Sequence, residues 1–598
     1  MKRFSWIRIL AAIISVLTCM TCMLSVSVSA EGQQVEQNEE SDGEAMEDSY
    51  EAKKAAYREK LMSDDVTSDD FLVGSWVSFY SFDIHSYEYQ LDQMAAAGIN
   101  FNIFPKNFGE GAMYDAAYWE DIEAQYTKRN MVYLMNGSRY EVHVAPGVEY
   151  AQGKEHCIGY HVADEPWADS LGHMGYIINC YYELDPTRYP FVNLFPSYAP
   201  VDRLGGTYYE YVSNFVNYAD PNKIEYLSHD NYPFLSGEET REDAFFSDLE
   251  VLRKVAYENG KLKTHGFPQS SSWNGMRMPN ATEMRWNVYA YLAYGFKALS
   301  WFNMACPSLL NGGTDGFYES VIYHDGTIHD TELYEAWSDL NWEIRGLSDI
   351  LMNQDVVHAY HVRQTIEGVE YLPEDFFLQP NNRYDFVVSV MEPKTGDDQY
   401  IMLFNKVLKR GLSCDFQVDP ESGVKWVEYF DPNTGEYIPV EFVDGALKDE
   451  FEPGEGRLYR LRYDDPPSVS EEESTEETEE VTTETVTETT AESTAEATTE
   501  ATEATTEATT EATEESTVET TTEVTTEAIT ETDAENETTD PTAVSTTSKT
   551  EETAVETAKN KDADAASSDN GCGASVGFGA TAMIVSVATA AVFKKKKE

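Results

Sequence analysis

The chain has 598 residues, a formal net charge of -65 and an aromatic content of 13%. That length allows two or three domains, and the aromatic content is enough to build a hydrophobic core, which excludes a chain that is disordered throughout. The strong acidity argues against a nucleic-acid partner, because binding a phosphate backbone requires a basic surface.

The first 30 residues have the pattern of a secretory signal peptide. A basic start is followed by an apolar run over residues 9–26 and by small residues at positions 28–30, after which cleavage is predicted. Cys19 or Cys22 could instead mark a lipoprotein signal, but the residues before each of them fit that pattern poorly. We therefore predict that residues 1–30 direct the protein out of the cell.

The C-terminal part of the chain has the composition of a stalk followed by an anchor. Residues 464–570 are near-repeats of Thr, Glu, Ala and Ser, a composition that buries too little apolar surface to fold. Residues 571–598 contain an apolar run and then a lysine cluster, as in one transmembrane helix with a cytoplasmic end. This arrangement resembles the anchors of Gram-positive surface proteins, although no Leu-Pro-x-Thr-Gly motif precedes it. We predict that this helix holds the protein in the cytoplasmic membrane and displays it on the cell surface; a cleaved tail is the alternative.

The region between the signal peptide and the stalk begins with a linker and continues as a repeating α/β pattern. Residues 31–69 are acidic and helix-prone, and we assign them to the linker. Over residues 70–355, short β-rich runs alternate with amphipathic helical stretches, and the runs are apolar on both faces, as in buried parallel strands. The runs are 71–78, 99–105, 131–136, 158–163, 191–195, 224–230, 262–266 and 298–302. Eight such units predict the α/β class with a (β/α)8 barrel. A doubly wound open sheet is the alternative, but no Gly-x-Gly-x-x-Gly turn follows the first run.

Residues 356–463 change to a pattern that is typical of antiparallel strands. Runs such as 384–390 and 399–404 are rich in β-branched and aromatic residues, and turn sequences such as 394–396 separate them. This region is therefore predicted to be a small antiparallel β-sandwich.

The candidates for function are the polar and aromatic residues at the ends of the apolar runs or just after them, because the active site of a barrel lies at the carboxyl ends of its strands. Trp273 is included because it lies in a polar loop over residues 269–279 that we predict to be exposed. The candidates for binding a carbohydrate substrate are Asn136, His161, Trp167, His229, Asn231, Tyr232, His265, Gln269, Trp273 and Trp301. The candidates for catalysis are Asp164, Glu165 and Asp230.

The three carboxyl groups suit the hydrolysis of an acetal. That reaction requires two carboxyl groups, or one carboxyl group assisted by the substrate. One of them must be protonated near neutral pH, and burial beside another carboxylate raises its pKa. Asp164 and Glu165 are adjacent at the end of the fourth run. We therefore predict Glu165 as the proton donor, Asp164 as its modulator and Asp230 as the second carboxylate.

Other catalytic chemistries lack their sequence patterns. His161, His229 and His265 lie near strand ends, but neither His-x-His nor His-Glu-x-x-His spacing occurs. Residues 70–463 contain no Gly-x-Ser-x-Gly elbow for a nucleophilic serine. We predict no metal site and no cofactor.

Two stretches of the sequence carry a family resemblance. Residues 159–166 resemble the Gly-Tyr-x-x-x-Asp-Glu-Pro strand of barrel glycoside hydrolases, and residues 277–302 resemble a later stretch of the same proteins. Over residues 70–463 the chain is similar to family 42-like and related clan A glycosidases. The resemblance implies that Glu165 is the acid/base at the end of strand 4. It also implies a glutamate nucleophile at the end of strand 7, where residues 265–269 contain no Glu.

The missing glutamate leaves three mechanisms open. In the first mechanism, Asp230 acts as the nucleophile or as the base. Glu283 could reach the site, although its position at the start of a helix favours a structural role. Alternatively, Asp164 could hold an acetamido group of the substrate, which then supplies the nucleophile; this would resemble β-N-acetylgalactosaminidases that carry a similar Asp-Glu pair.

The sequence as a whole predicts an extracellular, surface-tethered glycoside hydrolase that acts on O-glycosidic bonds of poly- or oligosaccharides. The alternative is a catalytically silent glycan-binding or adhesion protein built on a hydrolase-like barrel, since one expected carboxylate is missing.

Overall fold

The computed structural model describes residues 49–77, 86–106, 115–305, 317–323, 327–328, 330–363, 365–381 and 384–466. The predicted signal peptide, the stalk beyond residue 466 and the predicted anchor lie outside these residues. Within the described ranges, none of the helices combines the length and the apolar character that crossing a membrane requires.

Residues 72–301 form a closed barrel of eight parallel strands, with β8 standing outside it. The strands of this region are β1 (Leu72–Val77), β2 (Phe101–Phe104), β3 (Val132–Asn136), β4 (Cys157–Asp164), β5 (Tyr189–Leu194), β6 (Tyr226–His229), β7 (Lys263–Gly266), β8 (Ser271–Trp273) and β9 (Ala298–Trp301). Neighbouring barrel strands follow the chain order, and β9 pairs with β1 to close the ring. The predicted barrel is therefore confirmed, and the open-sheet alternative is wrong.

Helices cover the outside of the barrel. A first helix, α1, spans residues 49–63. The others are α2 (Tyr87–Ala96), α3 (Ala116–Thr127), α4 (Val144–Ala151), α5 (Leu171–Leu184), α6 (Val201–Leu204), α7 (Tyr208–Ala219), α8 (Glu242–Glu258), α9 (Ala281–Ala293), α10 (Thr331–Gly346) and α11 (Ser348–Met352). Each longer helix buries one apolar stripe; in α5 the buried Leu171, Met174 and Ile178 follow the spacing of one helix face.

Two apolar layers hold the barrel together. The outer layer lies between strands and helices, and the inner layer fills the barrel with side chains such as Leu72, Phe101, Val132 and Phe191. The interior is therefore packed, which confines a substrate to the carboxyl ends of the strands.

Residues 354–462 form two further sheets that share one core. The strands are β11 (Gln354–His361), β12 (Glu370–Tyr371), β13 (Leu378–Pro380), β14 (Phe386–Pro393), β15 (Tyr400–Asn405), β16 (Leu412–Val418), β17 (Trp426–Asp431), β18 (Glu436–Val440), β19 (Ala446–Phe451) and β20 (Gly456–Arg462). One sheet has the order β12-β11-β14-β15-β20-β17-β18, and the other has the order β13-β16-β19. All described pairings are antiparallel except that of β11 with β12.

The sheets and helix α1 are fixed to the barrel by specific contacts. Trp286 of α9 is fully buried, and its Nε1 donates to the Lys406 carbonyl oxygen at 3.0 Å. Arg58 of α1 pairs with Asp339 at 2.8 Å, and the Tyr57 hydroxyl donates to the Gly346 carbonyl oxygen at 3.1 Å. The helical part of the predicted linker is thus docked on α10 rather than free.

Candidate active site

Three carboxyl groups meet at the carboxyl ends of β4 and β6. Asp164 is the last residue of β4, Glu165 follows it, and Asp230 follows β6. Asn193 of β5 lies between them, and its Nδ2 donates to Asp164 Oδ1 at 3.1 Å and to Asp230 Oδ1 at 3.0 Å. The structure therefore brings together the three residues that the sequence nominates for catalysis.

An irregularity in β4 aligns the first of these carboxyl groups. His161 pairs with Phe191 of β5, but the next partner pair is Ala163 with Val192, so β4 contains one extra residue. The register then places Asp164 beside Asn193. Such bulges re-aim side chains next to active sites.

Glu165 has a backbone conformation that ordinary residues avoid. Its φ is 44°, in the left-handed region, and its N–H donates to the Asn193 carbonyl oxygen at 2.9 Å. This conformation costs a non-glycine residue about 1–2 kcal/mol. Among the residues that the structure describes, none forms a hydrogen bond with the Glu165 carboxyl group. Glu165 therefore combines a strained backbone with a poorly solvated carboxyl group.

We expect the strain to be measurable as stability. Glu165→Gly should raise the free energy of unfolding by about 1 kcal/mol, because glycine adopts a positive φ without steric cost. Asn130→Gly is the matched control: Asn130 also has a positive φ, of 52°, but its side chain bonds Val66 N at 3.0 Å. Chemical denaturation should show a gain for Glu165→Gly and none for Asn130→Gly. A loss of stability in Glu165→Gly would contradict the strain argument.

The three carboxyl groups differ in their environments. Burial, followed by the charges of Asp230 and Asp164, raises the pKa of Glu165 well above its usual range. Burial and then the Asp164 charge raise the pKa of Asp230 to about 8. Burial also raises the pKa of Asp164, to about 6, but the Asn193 hydrogen bond and the Arg139 charge oppose it. Like charges this close do not all ionise. The Asn193 hydrogen bond and the Arg139 charge favour the ionised form of Asp164, so Asp164 is the first of the three carboxyl groups to lose its proton as the pH rises.

One side of the cleft is aromatic. The ring centroids of Trp76 and Phe104 lie 5.2 and 4.7 Å from that of His161, and Phe267 lies 5.4 Å from Trp76. Burial lowers the pKa of His161 to about 3, so its ring is neutral. Sequence reasoning missed Trp76 and Phe104 because both lie inside apolar runs, although both occupy the ends of their strands.

Next to this aromatic group are polar atoms without partners. Asn136 pairs in register with His161 and is 8% exposed. Within the described part of the chain, neither amide atom of Asn136 nor Nε2 of His161 has a hydrogen-bond partner. Buried polar atoms are usually paired, so these atoms are suited to binding a polar ligand.

A second aromatic group contains Tyr232, whose ring centroid lies 4.9 Å from that of Trp273 and 5.1 Å from that of Phe302. Trp273 is not in an exposed loop as predicted, because it belongs to β8, which pairs with β10 (Phe317–Ser320), and it is only 7% exposed. Asn231 is tied to α8, where its Nδ2 donates to Asp248 Oδ2 at 2.7 Å.

The cleft rim has a second aromatic feature. Trp167 is 47% exposed, and the Arg203 guanidinium lies 5.4 Å from its ring centroid. The charge of Arg203 acts to lower the pKa of Glu165, but burial and the two aspartates outweigh it. Tyr198, which sequence reasoning missed, accepts a hydrogen bond from Tyr232 N at 3.4 Å and lies under Arg241.

Two of the predicted binding residues face the helices instead of the cleft. Trp301 is fully buried, and its Nε1 donates to Asn341 Oδ1 at 2.8 Å. His229 is also fully buried, and its Nδ1 contacts the Tyr208 hydroxyl at 3.0 Å. Side chains alternate along a strand, so a residue next to the inward-facing Asp230 points outward.

Two other predicted binding residues are structural. His265 is 1% exposed inside the barrel, where its ring nitrogens contact Ser228 and Ser300. Gln269 is fully buried, and its side chain bonds backbone atoms, including the Arg277 carbonyl oxygen at 2.7 Å.

Glu283 does not join the carboxyl group cluster. It caps the start of α9 together with Asn280, and it pairs with Arg277 at 2.5 Å. These contacts support the structural role that its position at a helix start favours.

No described residues form a group of three or more His, Cys, Asp and Glu side chains that could hold a metal ion.

Comparisons with known proteins concern the fold. No family model matches the chain, and no curated relative matches it. The chain is similar to the solved structure of an alpha-amylase from Geobacillus thermoleovorans, complexed with acarbose, at 9% identity and a TM-score of 0.40, covering 66% of this chain and 98% of that one. It is similar to a glycoside hydrolase family 5 structure from Bacteroides vulgatus at 13% identity and a TM-score of 0.41, covering 65% and 89%. Xylanase 10B from Thermotoga maritima is similar at 11% identity and a TM-score of 0.34, covering 48% and 98%. The resemblance to family 42 stays a prediction.

Proposed function

We propose that this protein is a glycoside hydrolase that acts on O-glycosidic bonds of extracellular poly- or oligosaccharides. The observation that carries the proposal is the meeting of Asp164, Glu165 and Asp230 at the barrel's carboxyl end, where Asn193 Nδ2 donates to both aspartates and burial raises the pKa of all three carboxyl groups. Opposed protonation states of neighbouring carboxyl groups are what acid-assisted acetal cleavage requires.

Glu165 is the proton donor in this proposal. Burial and the neighbouring carboxylates raise the pKa of Glu165, which favours its protonated form. Its positive φ turns the chain away from the direction of strand β4, and its carboxyl group has no described hydrogen-bond partner. Such a group can deliver its proton to the leaving oxygen of a bound sugar.

Asp164 is the ionised carboxylate that works with Glu165 in this proposal. Arg139 and Asn193 stabilise its ionised form, whereas the Asp164 charge raises the pKa of Asp230. An ionised Asp164 could stabilise the positive transition state, act as a base, or accept a hydrogen bond from a substrate acetamido group. Asp230 would act as nucleophile only after losing its proton.

The substrate would bind beside the two aromatic groups at the carboxyl ends of the strands. Trp76, Phe104 and Tyr232 offer apolar ring faces, and the amide of Asn136 offers one donor and one acceptor to hydroxyl groups. Apolar walls with a few unpaired polar groups are typical of small-ligand sites.

A silent glycan-binding protein is the second candidate. The observation that favours it is the end of β7, where residues 265–269 provide no carboxylate. Binding without cleavage would use the same aromatic and amide groups.

Secretion and surface anchoring belong to the proposal as well. They are supported by the signal-like pattern of residues 1–30 and by the apolar run and lysine cluster of residues 571–598.

The test is sugar release by the full-length chain, expressed in a Gram-positive host, from a panel of aryl glycosides and glycans. We expect release of one sugar class. Intact cells should show the activity, and after lysis it should be found in the membrane fraction. Absence of release together with oligosaccharide binding would favour the silent protein. Activity confined to the cytosol would contradict the anchoring.

A further inference from the structure

A chain of buried hydrogen bonds crosses the barrel interior beneath the carboxyl groups. Ser228 Oγ lies 2.9 Å from Asn193 Oδ1 and 2.9 Å from His265 Nδ1. His265 Nε2 lies 2.9 Å from Ser300 Oγ. These four side chains are at most 2% exposed, and their hydrogen bonds connect strands β5, β6, β7 and β9. We call them the Asn193–Ser300 chain.

The direction of every hydrogen bond in the Asn193–Ser300 chain follows from its first member. Asn193 Nδ2 uses both hydrogens on Asp164 and Asp230, so its Oδ1 can only accept, and Ser228 must donate to it. Ser228 then accepts from His265 Nδ1–H. His265 Nε2 consequently accepts from the Ser300 hydroxyl group.

His265 is suited to this arrangement because it is neutral. Its ring is packed against aromatic rings, with centroids 4.7 Å away at Phe267 and 5.2 Å away at Phe191. Burial and then His229 lower its pKa to about 3. A neutral imidazole has one donor and one acceptor, which matches its two serine partners.

We propose that Asn193 is a positioning residue whose amide, held in one orientation by Ser228, His265 and Ser300, presents a hydrogen to both aspartates and thereby keeps Asp164 ionised. A hydrogen bond donated to a carboxylate favours its charged form. The proposal rests on the proposed function insofar as the charge on Asp164 is needed for sugar release.

Other charges also face the aspartates. Within the described ranges, the titratable and charged groups that act on Asp164, Asp230 or their immediate partners are Arg139, Glu165, Tyr198, Arg203, Tyr208, Tyr211, Tyr232 and Tyr291. Burial keeps the tyrosines neutral, so Arg139 is the cation that acts on Asp164 together with the amide.

Ser228→Ala tests the proposal without touching a carboxyl group. The variant leaves Asn193 Oδ1 without its donor, so the amide can rotate and one aspartate loses its hydrogen bond. Because the pKa of Asp164 rises, we expect the acid limb of the pH profile of kcat/KM to move to higher pH by about one unit. On the acid side of the profile, activity at a given pH should be about tenfold lower than in the wild type, and at higher pH it should change little. Asn193→Ala should move the limb in the same direction by at least as much.

The matched control is Ser75→Ala. Ser75 is a fully buried barrel serine whose Oγ contacts the Trp301 carbonyl oxygen at 3.4 Å, outside the Asn193–Ser300 chain. It should leave the limb in place. An equal loss of activity at every pH in Ser228→Ala would mean that the serine only supports packing, and would overturn the proposal.

A second measurement does not depend on catalysis. Infrared titration of the full-length chain with ¹³C-labelled aspartate follows the protonated carboxyl groups directly, and Asp164→Asn assigns the Asp164 signal. In Ser228→Ala we expect that signal to persist to higher pH than in the wild type. An unchanged titration in a folded variant refutes the role of Asn193, whereas absence of sugar release by the wild type refutes only the proposed function.

Discussion

Replacing Glu165 by Gln is expected to lower sugar release by about 10²–10⁴-fold, because the amide cannot donate the proton that the leaving oxygen requires. The basic limb of the wild-type pH profile should disappear as well. Glu165 is active only when protonated, and burial beside Asp230 and Asp164 raises its pKa, so wild-type activity persists to high pH and falls when the proton is lost. Steady-state kinetics on a glycan substrate across pH measure both effects.

Glu283→Gln is the control for this experiment. Glu283 is a glutamate of the same barrel, but it pairs with Arg277 and caps the start of α9 instead of joining the carboxyl group cluster. Its variant should keep the rate and the basic limb, with some loss of helix stability. A Glu165→Gln variant as active as Glu283→Gln would remove Glu165 from the reaction.

The second large effect is a difference between the two aspartates. At pH 7, Asp164→Asn should lower kcat by about 10²-fold, because it removes the negative charge of the cluster. Asp230→Asn should lower it by less than about tenfold, since an amide resembles the protonated acid that Asp230 is at that pH. Single-turnover rates of both variants, with folding checked by circular dichroism, decide the order.

The opposite order would assign a different mechanism. A larger loss in Asp230→Asn would mean that Asp230 reacts as the ionised nucleophile or base, as the sequence prediction has it, and that Asp164 has the accessory role. Recovery of Asp230→Asn activity by an added small anion such as azide would identify the nucleophile.

The barrel could be predicted from the sequence because buried parallel strands leave a simple pattern. Eight apolar runs separated by helical stretches correspond to β1–β7 and β9, and the polar residues at the ends of the fourth and sixth runs meet as Asp164, Glu165 and Asp230. The geometric rule that strand ends converge was sufficient to place these three residues together.

The binding residues were harder to predict because their directions depend on register. The extra residue in β4 changes which side chains face inward, and apolar composition does not indicate such a bulge. Trp301 and His229 were assigned to the cleft for being near strand ends, yet both point to the helices. Strict alternation from Asp230 would have assigned His229 correctly.

Asn193 was missed although the sequence contained its signal. It is a lone amide in the apolar run 191–195, and a buried polar residue in a strand needs partners. Those partners, Asp164, Asp230 and Ser228, lie on two neighbouring strands and become visible only when the strands are assembled.

The most direct test of the central claim compares two leaving groups in wild type and Glu165→Gln. The acidic phenol of an activated aryl glycoside can leave without being protonated, whereas the leaving sugar hydroxyl group of a glycan needs a proton. If Glu165 is the proton donor of a glycosidase, the variant should lose most of its activity on the glycan and keep most bond cleavage on the activated aryl glycoside. Equal losses on both substrates, or none on either, would contradict the assignment.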